Sequence, residues 1–261
     1  MLCAAQGIRL LGPSDPYAGF LFLMAFLVLS AVAIRVGAAA FRGLFGSGED
    51  ALKTVYGQIV RYLDPNAIFE PEEGIHWKRL EATGLMDTDW RIFGGKWRAT
   101  LTLEGARAEV ARFSYEVGAY DPPTCGSGLA CLFRFPCRLP GRALVLPVRV
   151  RLPTQGLRPV LDLGDARSSR VWRLLGDDDQ TARTIVGPGV ASAFAEARFP
   201  SLRLSWHDYE LALVAGEVDL RMHSAAVFIS GSEAVLAFFE FLGLCATLVR
   251  DVRRSVPRDL C

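Results

Sequence analysis

The sequence predicts an α+β fold: one N-terminal transmembrane helix followed by a single domain with mainly antiparallel sheet and flanking helices. Three observations lead there. Residues 17–34 form an uncharged apolar run. Residues 52–63 carry apolar side chains at helical spacing, and from Trp97 onward the apolar period shortens from 3.6 to 2. The strand candidates then follow one another with few helices between them, which favours antiparallel pairing of sequence neighbours over a doubly wound sheet.

The apolar run, YAGFLFLMAFLVLSAVAI, lies between Asp15 and Arg35. Its eighteen residues, at about 1.5 Å rise each, are just enough for a hydrocarbon core of about 30 Å. Tyr17 stands at the edge, where an interfacial aromatic belongs. Phe20, Phe22 and Phe26 lie within the run, and Ile34 closes it before Arg35. A cleaved signal peptide ending near Ala38–Ala40 is the competing reading. Against it, Arg9 is the only basic residue ahead of the run, and Asp15 abuts it. Arg35, Arg42 and Lys53 follow the span. The positive-inside rule therefore predicts a single-pass protein of the inner (cytoplasmic) membrane with its C-terminal domain cytoplasmic.

The expected organisation is a tail over 1–16, an anchor over 17–41, a glycine-rich hinge over 42–50, a globular domain over 51–253 and a tail over 254–261. Leu52, Val55, Tyr56, Ile59, Val60 and Leu63 form one helical face, which Pro65 ends. A short helix is expected over 75–83 between Gly74 and Gly84. Trp97, Ala99, Leu101 and Leu103 alternate with polar residues, predicting a strand that turns at Gly105 into a partner over 109–115. Further strands are expected over 129–135, 143–152 and 170–175. One helix is expected over 180–195 and a hairpin over 202–214 around His207-Asp208-Tyr209. The last helix, over 233–252, is almost wholly apolar apart from Glu240 and Thr247. Glu233 and Glu240 share one face, and a carboxylate at mid-bilayer is costly, so packing on the domain is expected and not a second span.

Composition excludes several function classes. Net charge is +1, so no overall field recruits nucleic acid. Of the 29 basic residues only Lys53, Lys78 and Lys96 are lysine, leaving 26 arginines. HExxH, GxSxG, GxGxxG and GxxxxGK[ST] do not occur. No catalytic, cofactor-binding or metal-ligating residue is assigned. Cys125, Cys131 and Cys137 are each six apart, which fits no zinc site. They read as small buried side chains in a reducing compartment, with a disulfide as the alternative. Gly126, Gly128 and Pro136 argue against one unbroken strand through all three.

Two charged features stand out. Asp177-Asp178-Asp179 reads as the cap of the following helix, with Asp178 or Asp179 at the N-cap, and less well as a cation site. Residues 122–161 contain no acid but hold Arg134, Arg138, Arg142, Arg149, Arg151 and Arg158. Arg149 and Arg151 are expected on one strand face. The first five named are candidates for contact with an anionic surface. The bland reading pairs them with Glu104, Glu109 and Glu116 on neighbouring strands.

Several segments taken together resemble a known family. The 52–63 helix followed by LDPNAIFEPEEGI and ATGLM, then GLACLFRFPCRLPGRALVLP, DDDQTARTIVGP and LRLSWHDYELALV, occur in collinear order over residues 51–249. This resembles the bacterial membrane-tethered domain of unknown function numbered 3137. The resemblance implies a tethered domain with no established activity, and it supplies no site residues. Members often carry two hydrophobic helices, whereas this chain shows one. A hairpin anchor and a single span would place the N-terminus on opposite sides of the membrane.

The expected function is thus a membrane-anchored cytoplasmic adaptor or accessory subunit without chemistry of its own. Its expected partners are membrane lipid and other membrane or membrane-associated proteins, not nucleic acid. The alternatives are an enzyme acting on a lipid or envelope substrate through Asp177–Asp179 or His207-Asp208, and a small subunit of a larger membrane complex.

Overall fold

The computed structural model describes residues 48–86, 90–117, 124–150, 156–160, 171–197, 199, 201–216 and 227–256. The predicted anchor, with Tyr17, Phe20, Phe22, Phe26, Ile34 and Arg35, lies outside the described residues. The chain divides into two compact units, Met1–Ala51 and Leu52–Cys261. Among the described residues no helix is long and apolar enough to cross a membrane.

Helix α1 (Gly48–Leu63) buries Leu52, Tyr56, Ile59 and Val60 of the predicted stripe, with Val55 half-buried and Leu63 exposed at the helix end. Strand β1 (Ile68–Glu70) and helix α2 (Trp77–Ala82) follow. The ring of His76 accepts a hydrogen bond from the Lys78 N–H at 3.3 Å, capping α2. Strands β2 (Trp90–Leu103) and β3 (Ala106–Val117) form the hairpin turning at Glu104-Gly105. Strands β4 (Thr124–Arg134), β5 (Arg142–Pro147), β6 (Arg158–Val160) and β7 (Trp172–Gly176) come next. Helices α3 (Asp179–Ile185) and α4 (Pro188–Glu196) precede the hairpin of β8 (Ser201–His207) and β9 (Glu210–Gly216). Helix α5 (Val227–Ser255) is the last described element.

The described strands form one nine-stranded sheet ordered β1-β2-β3-β4-β9-β8-β5-β7-β6. Every described pairing is antiparallel. The fold is α+β, mainly antiparallel sheet with flanking helices. One face carries α1, α3, α4 and α5 over a core containing Trp97, Leu129, Phe133, Leu204 and Trp206. The other face buries Phe113, Leu132, Leu146 and Val214 beneath Ile75, Leu80 and Leu85. Helix α5 buries Ala234, Phe238, Phe241, Leu242, Cys245, Leu248, Val249 and Val252, which explains its apolar sequence as packing. Tyr56, Trp97 and Phe238 meet as a triad with ring centroids 4.8–5.3 Å apart. Edge-to-face and tilted contacts of this kind add to what their burial contributes.

Four expectations are corrected. The helix expected over 180–195 is two helices, because Pro188 has no N–H for the ladder and its ring collides with the preceding turn. At the first position of α4, after Gly187, the same residue is well placed. The strand expected over 143–152 ends at Pro147, where Val150 N–H bonds back to Pro147 O at 2.9 Å in a turn. Arg149 therefore sits on that turn and not on a strand face, and Arg151 lies outside the described residues. No unbroken strand joins Cys125, Cys131 and Cys137, as expected, since β4 ends at Arg134, but the glycines at 126 and 128 do not interrupt it. They stand opposite Tyr115 and Phe113, and a Cβ at either would collide with that ring. Small residues here make room for large ones across the ladder. Lastly, Cys137 is disulfide-bonded, not a free buried thiol. Cys131 and Cys245 are free and buried.

Candidate functional site

The β2–β3, β3–β4, β4–β9, β8–β9 and β5–β8 registers align six polar residues at one end of the sheet. Directly opposed residues on an antiparallel ladder point to the same face. Thr102 opposes Arg107, Arg107 opposes Arg134, Arg134 opposes Glu210, Glu210 opposes His207, and His207 opposes Arg142. Six strands thus share one polar row, about 24 Å long at the usual strand spacing. Arg142 is half-buried, and the other five side chains are exposed. The row lies on the sheet face that buries Phe113 and Leu132, just short of the Glu104-Gly105 and Asp208-Tyr209 turns.

Around this row most charges are paired. Arg142 grips Asp177, with Nη2 3.1 Å from Oδ1 and the backbone N–H 2.9 Å from Oδ2. Asp177 N–H returns a bond to Arg142 O at 3.0 Å. Arg138 places Nε and Nη2 on Asp208 Oδ1, at 2.8 and 2.7 Å. His207 Nδ1 lies 3.0 Å from Asp208 Oδ2. Glu104 accepts from Arg250 at 2.5 Å, and its carbonyl accepts from Arg253. Arg250, with lesser help from Arg254 and Arg253, holds the Glu104 carboxyl below its usual range. Glu109 takes Arg79 at 2.5 Å and Arg98 at 3.4 Å. Arg98 also holds Glu70 and Glu73, and its bond to Glu70 leads the causes that raise its own pKa.

The predicted arginines therefore separate. Arg138 and Arg142 are paired, but with Asp208 and Asp177 and not with Glu104, Glu109 or Glu116 as the sequence suggested. Arg134 ends β4 exposed and makes no ion pair among the described residues. Arg149 is exposed on its turn, again without an ion pair among the described residues. Arg107 was missed by sequence reasoning. Only the hairpin register, which puts it directly against Arg134, marks it out.

The acidic cluster is divided in the same way. Asp177 belongs to Arg142. The Asp178 carbonyl accepts from Ala182 N–H at 3.2 Å, and Asp179 stands in the first turn of α3, where its charge favours the helix dipole. Among the described residues no group of three or more His, Cys, Asp or Glu converges as a metal site. The Cys131 thiol is pushed well up by burial, and next by its neighbour Cys245, so it carries no thiolate at neutral pH.

No protein-family model matches the chain, and no curated protein does. Among solved structures the chain is similar to the mycobacterial trehalose monomycolate transport factor A, TtfA, at 11% identity and a TM-score of 0.40. The match covers 78% of this chain and 96% of that one. A likeness this faint carries neither fold nor function from that protein to this one.

Proposed function

We propose that the chain is a membrane-anchored accessory protein whose domain acts by contact with other proteins or with headgroups, and performs no chemistry of its own. One observation carries the reading: the side chains that the sequence offered for catalysis already have structural roles. Asp177 anchors Arg142 to the start of α3, Asp208 anchors Arg138 at a hairpin turn, and His207 is exposed beside that turn. A site for turnover needs such groups convergent in a concavity. The apolar run over 17–34 and the resemblance to tethered domains of family 3137 support the anchor. The test is native mass measurement on the full chain extracted in mild detergent. A high-mass species with co-extracted proteins or a monomer carrying bound lipid is expected, and a monomer with neither would contradict the proposal.

The basic flank of Arg35, Arg42 and Lys53 supports a cytoplasmic domain at the inner membrane. A second reading, with the domain on the exported side, is favoured by the Cys137 disulfide, because disulfides persist in oxidising compartments. Protease added to intact spheroplasts separates the two. Survival of the domain supports the cytoplasmic placement, and digestion supports the exported one.

A further inference from the structure

Two arginines facing each other across an antiparallel ladder repel, and a fold gains nothing from that placement alone. Arg107 and Arg134 are so placed, both exposed, and neither makes an ion pair among the described residues. The acids that neutralise their neighbours are engaged elsewhere. Glu109, two residues along β3 on the same face, is held by Arg79 and Arg98. Glu104 is held by Arg250, Asp208 by Arg138 and Asp177 by Arg142. Glu210 opposes Arg134 on the other side without an ion pair among the described residues, so the trio retains one net positive charge.

We infer that Arg107 and Arg134 together seat the phosphate of an anionic lipid headgroup. Side chains directly opposed on a ladder start about 5 Å apart at Cβ, close enough for two guanidinium forks to share one tetrahedral oxyanion. Two further features favour a lipid. Five of the six side chains of the row are exposed along the sheet face. Tyr209, 47% exposed at the tip of the adjoining hairpin, offers the amphipathic ring that suits an interface. This inference rests on the reading of the domain as one that acts by contact at a membrane.

The test uses the full chain in maltoside micelles, titrated with dioctanoyl phosphatidylglycerol, with dioctanoyl phosphatidylcholine and with inorganic phosphate. Bound molecules are counted by native mass spectrometry. Phosphatidylglycerol is expected to bind in preference to the other two. Arg107→Gln and Arg134→Gln should each weaken it about fivefold, and the double variant more. Lysine at both positions keeps the charge but not the fork, and should recover only part of the affinity. Arg183→Gln, exposed on α3 over the opposite face of the sheet, should change nothing. The melting midpoint of the glutamine double variant should hold or rise, because a repulsion has gone. The inference is overturned if that double variant binds phosphatidylglycerol as well as the parent, if Arg183→Gln weakens binding equally, or if inorganic phosphate occupies the pair and the lipid does not. Co-extracted proteins are scored separately, so the lipid seat can fail while the accessory reading stands, and the reverse.

Discussion

Glu104 sits at φ +48°, followed by Gly105 at φ +76°, the two left-handed residues that a tight hairpin turn requires. Glycine takes this conformation freely, whereas glutamate is strained in it. The Arg250 and Arg253 side chains of α5 hold it there, one on the carboxylate and one on the carbonyl. Asp208, at φ +52°, is held likewise by Arg138. The depressed carboxyl of Glu104 sets a sign. Its contribution is fully present above the ordinary glutamate value of about 4.3 and is lost as pH falls below it. Asp64, lowered by bonds from the Thr102 and Asn66 N–H groups, acts in the same direction. Thermal midpoints should therefore fall in acid, and the gap between parent and Glu104→Gln should close there. A gap that stays constant from pH 7 to pH 3 would contradict this role. Trp97 offers a sharper residue test: it is wholly buried, and its Nε1 makes no hydrogen bond among the described residues. Trp97→Ala should cost about 3–5 kcal/mol, whereas Trp97→Phe keeps the ring contacts and should cost about 1 kcal/mol, read by denaturant unfolding.

At the scale of elements, the segment after β1 passes directly against β2. Gly74 and Gly95 touch backbone to backbone, and a Cβ on either would fall inside the other. The β2–β3 register slips on either side of Gly95, between Ile92 and Gly94 and between Gly95 and Trp97, which bends the strand at this approach. Gly95→Ala should destabilise by about 1–3 kcal/mol, and a melting midpoint equal to the parent's would show that the segment is free to move aside. Such contacts are invisible in a single sequence, which shows two glycines and not their meeting. By contrast, α1 was legible because one of its faces lies in the core and carries a clear period. The hairpin strands β8 and β9, buried on both faces, showed as short apolar runs around His207-Asp208-Tyr209, and α5 as one long apolar run. Strands β1 and β6, of three residues each, are too short for any period to register. The α3–α4 break was written in Gly187-Pro188, but apolar spacing continuing through Ile185, Val186 and Val190 masked it.

For the whole molecule, the unreadable part was the order of strands. Sequence neighbours pair as expected from β1 to β4. The β8–β9 hairpin then inserts between β4 and β5, so β4 lies beside β9 and β5 beside β8. That arrangement decides which arginine meets which acid. It takes Arg138 to Asp208 and Arg142 to Asp177, pairs separated by 70 and 35 residues. The register of β3 on β4, by contrast, sets Arg107 against Arg134, so the candidate site is a product of register where the sequence showed only an acid-free stretch. On the proposed function, this domain works at a membrane to which its own chain ties it. Alkaline carbonate extraction of membranes from cells expressing the full chain tests that claim most directly. The parent chain should stay in the pellet and a Phe22→Arg/Phe26→Arg variant should be released as folded domain. Release of the parent chain by carbonate would contradict the claim.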